Sequence, residues 1–229
     1  MRILAIETSG SFASLGVVED ASILAERTYL ARKRICSTLA NEILQLLAIA
    51  GLKPTDLGAV AVSRGPGSFT GLRVGVATAN ALAQALRLPV VGLPTLEVVA
   101  ASSWLPPGTL LLAASPSKRT ELYVQTWRNL PPWRAEGLPA AVQLAHLRRY
   151  IEEGGLPFLA GEAASTWLAQ AGSPECLPVE VAPRPSTLAA LALKALASAS
   201  PSSLLAAHYV LPIYCRASQP EEKTSGPTG

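Results

Sequence analysis

The sequence predicts an α/β fold made of two similar halves, on three observations. Short β-like runs alternate with helical patterns, an order that places parallel strands in a sheet with helices over it. After the breaker Pro106-Pro107-Gly108 the same order of elements restarts. With 229 residues, 49% of them hydrophobic, the chain can also bury a large core, as one large domain or two small ones.

The first half opens with Ile3–Thr8, Ala13–Val18 and Ser22–Tyr29 as a meander of three antiparallel strands, with Glu19-Asp20 turning between the last two. A helix is expected from Ser37 to Ala50, stopped by Gly51, and then a strand over Ala59–Ser63. A helix after Gly65-Pro66-Gly67-Ser68-Phe69-Thr70-Gly71, a strand over Pro89–Gly92 and a helix from Pro94 complete this half. In the second half, Thr109–Ala114 and Glu121–Arg128 read as strands, with a third near Trp133. Pro139–Glu153 then reads as a helix, Pro157–Ala160 as a strand, Glu162–Ala171 as a helix, Leu177–Val181 as a strand and Ser186–Ser198 as the last helix. The expected organisation is an N-terminal subdomain over 1–103, a C-terminal subdomain over 104–185, and a helix at 186–199 packing back on the first. From Ala217 to Gly229 the polar, aperiodic sequence reads as a disordered tail.

Two helices carry more apolar surface than one sheet contact needs. In the first, Leu39, Ala40, Ile43, Leu44, Leu46, Leu47 and Ala50 spread over a wide apolar arc, while Thr38, Asn41, Glu42 and Gln45 share a narrow polar one. In the second, Gly71, Gly75, Ala79 and Ala83 fall four apart as a small-residue ridge, beside a ridge of Val74, Thr78, Leu82 and Leu86. Glycine inside a helix costs about 1 kcal/mol relative to alanine. Close packing must offset that, either in the protein's own core or at a subunit interface.

Composition narrows the chemistry. Three cysteines, Cys36, Cys176 and Cys215, are far apart and never in a CxxC spacing, so neither a disulfide framework nor a zinc site is implied. Basic residues sit in short clusters, Arg32-Lys33-Arg34, Lys118-Arg119 and Arg148-Arg149, without interleaved aromatics; a solvated surface is favoured over a nucleic-acid groove. Glu7 interrupts the apolar start, and the longest candidate span, Leu72–Leu86, contains Arg73, Asn80 and Gln84. A soluble, cytoplasmic protein with no membrane contact is expected. Aspartate occurs only at Asp20 and Asp56 and histidine only at His146 and His208, a poor stock for metal hydrolysis or phosphoryl transfer. Both histidines lack a histidine three or four residues away and read as surface or structural residues.

The run from Gly65 to Gly75 is the strongest motif. A glycine-rich turn before a helix can cradle an anion, which makes Gly65, Gly67 and Ser68, with Glu7, Thr8 and Ser9 at the end of the first strand, the candidate nucleotide or anion contacts. Yet no lysine occurs between Pro54 and Lys118, Thr70 stands where the third glycine of GxGxxG belongs, and no GxSxG is present. The favoured reading of Ser68 and Thr70 is helix capping, with anion contact as the alternative.

Several segments resemble the TsaB (YeaZ) family: ILAIETS at Ile3–Ser9, LLAIAGL at Leu46–Leu52, AVSRGPGSFTGLRVGVATANALA at Ala61–Ala83, VVGLPTLE at Val90–Glu97 and ELYV at Glu121–Val124. Pro212-Ile213-Tyr214-Cys215-Arg216 is similar to the family's closing Pro-x-Tyr-x-Arg. Where the family reads His-Ser-Glu and Asp-Ala-Arg, this chain has Ile35-Cys36-Ser37 and Pro116-Ser117-Lys118. The resemblance implies an actin-like ATPase-superfamily fold of two related ribonuclease-H-like subdomains with mixed sheets. It also implies a non-catalytic subunit that binds TsaD, with TsaE-type subunits, in the formation of threonylcarbamoyladenosine on tRNA. TsaD holds its metal through a pair of histidines that such chains lack. No catalytic residue, metal or cofactor of its own is then expected, with ATP or ADP at a complex interface, tRNA met through the complex, and a homodimer in isolation. The family's four-helix interface assigns the partner contact to Leu39, Ile43, Leu46, Leu47, Val74, Thr78 and Leu82. The rival expectation is an active nucleotide-dependent phosphotransferase or glycoprotease-like hydrolase centred on Glu7.

Overall fold

A computed structural model describes residues 1–20, 22–30, 35–130, 132–173, 175–199 and 209–214. The Arg32-Lys33-Arg34 cluster, His208, Cys215, Arg216 and the tail from Ala217 lie outside them.

The first half contains β1 (Arg2–Glu7), β2 (Phe12–Glu19), β3 (Ser22–Leu30), α1 (Ile35–Ile49), β4 (Ala59–Ser63), α2 (Phe69–Leu86), β5 (Val90–Leu93) and α3 (Thr95–Ser102). The second contains β6 (Leu110–Lys118), β7 (Glu121–Asn129), β8 (Trp133–Gln143), α4 (Leu144–Gly154), β9 (Phe158–Gly161), α5 (Ala164–Ala171), β10 (Leu177–Glu180) and α6 (Pro185–Ser198). The two sheets run β3-β2-β1-β4-β5 and β8-β7-β6-β9-β10, the same topology twice. In each, the three-strand meander is antiparallel and the two later strands add in parallel. The central strand β1 is buried on both faces, which explains why Ile3-Leu4-Ala5-Ile6 is continuously apolar rather than alternating.

One element differs from expectation. Pro139–Gln143, expected in a helix, continues β8, where Ala140, Ala141 and Val142 pair with Val124, Tyr123 and Leu122, and the helix starts only at Leu144. Just before this run the ladder bulges: Gly137, Leu138 and Pro139 face the single residue Gln125, whose side-chain amide donates to the Gly137 carbonyl at 2.9 Å. The bulge puts the proline where the ladder needs no N–H, and Gly137 takes a left-handed φ of 86° there.

Helices α1 and α2 pack on one face of the first sheet. Leu39, Ile43, Leu46 and Leu47 join Leu4, Ile6, Leu15 and Val62 in one core cluster. Each such buried side chain contributes about 1.5–3 kcal/mol. The other face is covered by α6, whose Leu188, Ala189 and Ala192 meet Ile3, Ala5 and Ala61. Helix α3 contributes Leu96, Val99 and Ala100 to a cluster with Leu111, Ala113 and Trp127 of the second sheet. The third helix of each half therefore crosses to the other sheet and ties the halves together.

Candidate functional site

At the C-terminal end of β1, the Glu7 carboxylate is almost wholly buried and fully engaged. It accepts from the Ser9 amide at 2.7 Å, from the Ser9 hydroxyl at 2.5 Å and from the Ser63 hydroxyl at the end of β4. Thr8 turns away, its hydroxyl donating to the Gly71 carbonyl at 2.8 Å. The Ser68 amide donates to the Ser9 carbonyl at 2.7 Å, and the Ser68 hydroxyl caps α2 by accepting from the Gly71 amide at 3.3 Å. Burial raises the Glu7 carboxyl above its ordinary pKa, and the three hydrogen bonds only partly oppose this. A raised pKa means that stability from this group is present at low pH and is lost as pH rises through the folded-state value. Wild-type chain should therefore lose stability relative to Glu7→Gln as pH rises above the ordinary carboxyl range, measured by denaturant unfolding at a series of pH values. A difference that stays flat or grows the other way would sink this account.

The glycines explain the loop. A β-carbon at Gly67 would strike the Ser9 carbonyl, one at Gly71 the Thr8 carbonyl, and one at Gly75 the Thr8 hydroxyl. The small-residue ridge of α2, with Ala79 and Ala83 wholly buried, thus seats the helix against the end of β1 in the chain's own core. Gly65, at φ 112°, makes room for the Ile213 carbonyl, and the Ile213 amide donates to the Arg64 carbonyl at 2.5 Å. So 209–214 crosses this loop as a strap. Asn80, 8% exposed, holds it by exchanging two 2.9 Å hydrogen bonds with the Val210 backbone. Tyr214 rests on Phe69 at 5.3 Å, with the Arg73 guanidinium 3.8 Å from the Phe69 ring centre.

The six candidate anion contacts are thus brought together, but their side chains are taken up within the fold: Glu7 by Ser9 and Ser63, and the Thr8 and Ser68 hydroxyls by the Gly71 backbone. The cleft between the subdomains beside them is also closed. Glu162, just after β9, accepts from the Ser11 amide at 3.1 Å and the Ser11 hydroxyl at 2.7 Å. The space left around Ser9, Gly10, Ser115 and Glu162 is about 10 Å³, roughly one water.

Of the expected partner contacts, Leu39, Ile43, Leu46 and Leu47 are only 1–2% exposed. Their side chains are taken up by the sheet, so they are corrected to core residues. Val74, Thr78 and Leu82 are half-buried on α2. Outward, α1 presents Leu44 and Ile49, 55% and 70% exposed and on opposite flanks of the helix, together with Asn41 and Gln45, and α2 presents Ala77, Ala81 and Ala85 together with Arg73 and Gln84.

A TsaD family model, described as tRNA N6-adenosine threonylcarbamoyltransferase, matches residues 29–143, half of the chain. The chain belongs to this family. It is similar to the Escherichia coli K12 tRNA threonylcarbamoyladenosine biosynthesis protein TsaB, 36% identical over 124 residues, 54% of this chain and 53% of that protein. The chain spans about half the length of the curated relatives that it matches. Its fold is similar to YeaZ from Pseudomonas aeruginosa, 22% identical with a TM-score of 0.74, over 93% of this chain and 99% of that one. The ethanolamine utilization protein EutJ from Carboxydothermus hydrogenoformans shares the actin-like fold at 10% identity and a TM-score of 0.52, over 83% and 90%.

In this TsaD-family chain, among the described residues, no three His, Cys, Asp or Glu side chains come close enough to hold a metal ion. His146 is exposed on α4, beside the surface ion pairs Arg148–Glu152 and Arg149–Glu153. Cys176 is buried, its thiol pushed up to about 11 by desolvation, and Cys36 is exposed. Among the described residues, no helix is long and apolar enough to cross a membrane. Sequence reasoning passed over the Asn80 clasp and the Glu162 bridge in this TsaD-family fold. A lone asparagine amid the small residues of α2 was the available signal for the first; nothing local marked the second.

Proposed function

We propose that the chain is a non-catalytic subunit that binds a TsaD-type catalytic partner in the formation of threonylcarbamoyladenosine on tRNA. The observation that carries this is the outward face of α1 and α2. Leu44 and Ile49 are more than half exposed on the two flanks of α1, and on the adjoining helix Ala77, Ala81 and Ala85 form a row without bulky side chains, with Arg73 at its start and Gln84 beside it. Such a row lets another helix come close, and apolar side chains beside it would leave water on contact. The name of the similar E. coli protein supports the pathway. The shortage of aspartate and histidine supports a partner that carries the chemistry. In this reading, a TsaE-type subunit joins the cytoplasmic assembly, tRNA and ATP or ADP are met through it, and the chain alone pairs with a second copy through the same face.

Adding purified chain to TsaD, TsaE, tRNA, ATP and threonylcarbamoyl-adenylate should restore modification that TsaD performs poorly alone, read as modified nucleoside per tRNA. No gain over TsaD and TsaE would overturn the scaffold reading. Turnover of ATP or peptide by the isolated chain that Glu7→Ala abolishes would replace it with the enzyme reading.

A further inference from the structure

A cavity of about 670 Å³ opens between the two halves, at the far end of β1 and β2 from Glu7. Its walls come from Ile23 at the start of β3, Glu97 on α3, Trp104 just beyond α3, Trp133 at the start of β8, and Leu191 on α6. That volume lies within the roughly 300–1,000 Å³ of small-molecule sites, and the lining is mostly apolar, as such sites are. Trp104 is 81% exposed and sits at φ 52°, a left-handed conformation that is uncommon for a bulky residue. One residue past the α3 cap, that backbone conformation ends the helix, so it is the exposure of the indole ring rather than its backbone that marks the site.

Glu97 is the second anomaly. It closes the VVGLPTLE segment and stands in the first turn of α3, where a carboxylate ordinarily reaches back to the capping residue's N–H. Here Pro94 caps the helix and has no N–H to offer. Glu97 is half-buried, its carboxylate has neither a hydrogen bond nor an ion pair among the described residues, and burial alone raises its pKa. The other charged groups lining the cavity are Asp20 in the β2–β3 turn and, at the α6 wall, Arg184 and Lys194. Asp20 is held by the Met1 amino group at 2.6 Å, and Arg184 and Lys194 are exposed to water.

We propose that this cavity binds a small organic monocation with an apolar, ring-bearing body, its ammonium against Glu97 and its ring against Trp104 and Trp133. A partly desolvated carboxylate without a counter-ion gains most from a ligand that brings one. Indole faces attract both rings and cations. Arg184 and Lys194 oppose a second positive charge, so polyamines are excluded. The site uses neither α1 nor α2 and stands independently of the partner reading.

Calorimetric titration of the full chain tests this with phenethylammonium, its neutral counterpart 2-phenylethanol, the anion 3-phenylpropionate, and spermidine. Phenethylammonium should bind saturably and at least about tenfold more tightly than the other three, with affinity rising with pH as Glu97 loses its proton. Glu97→Gln should erase the preference for the cation over 2-phenylethanol, and Trp133→Leu should weaken both. No saturable phenethylammonium binding at millimolar concentration, equal binding of 2-phenylethanol, or stronger binding of 3-phenylpropionate would each overturn the proposal. Should Glu97→Gln not fold, the wild-type probe series and its pH dependence decide alone.

Discussion

Ile43→Glu will leave the chain without a cooperative fold at 37 °C. Ile43 is 2% exposed and sits in the cluster that joins α1 to the first sheet. Losing its apolar burial alone costs about 2–5 kcal/mol, and a carboxylate placed there has no partner to hold it. Domain stability is only about 5–15 kcal/mol, so the two losses together consume most or all of it. Loss of the thermal transition in circular dichroism would be the expected result. A native-like transition would mean that α1 is not anchored as described, and would return Ile43 to the candidate interface.

Leu44→Glu, one residue further on, should do the reverse. Its side chain points away from the sheet and is 55% exposed, so substitution there should alter stability by about 0.5 kcal/mol or less. If the outward face of α1 and α2 receives a TsaD-type partner, the new charge falls in an apolar contact. Association should then weaken by at least about 30-fold, the ~2 kcal/mol of an interfacial hot spot. Titration of TsaD with folded Leu44→Glu chain measures this directly. Unchanged affinity would move the contact off this face.

The contrast between these neighbours shows how far the sequence could be read. Composition made the whole arc of α1 visibly apolar, but a 3.6-residue period cannot tell which flank meets a sheet and which meets solvent. Strand order settles it: β2 and β3 lie under Leu39, Ile43, Leu46 and Leu47, and Leu44 and Ile49 are left outside. The α2 ridge was legible in the same partial way. Its spacing announced a close approach, while the approaching group, Thr8, lies 63 residues away from Gly71 in the chain. At β8 the local signal misled, because Pro139 resembles a helix start and only its place opposite Gln125 of β7 makes it part of a bulged strand.

By itself, the sequence determined the doubled α/β order, the strands of both central ladders, and the Gly65–Gly75 signature, since these rest on periodicity and turn chemistry within short windows. It also determined the scarcity of groups for metal or phosphoryl chemistry, which is a matter of composition. Only the tertiary structure decided that Glu7, Ser9 and Ser63 satisfy one another, that Glu162 bridges the cleft to Ser11, and that Glu97 and two tryptophans line an open cavity. Those outcomes depend on pairings between distant segments, where a hydrogen bond made inside the chain removes the same group from any ligand. A sequence shows which groups exist; the packing determines which of them remain unpaired.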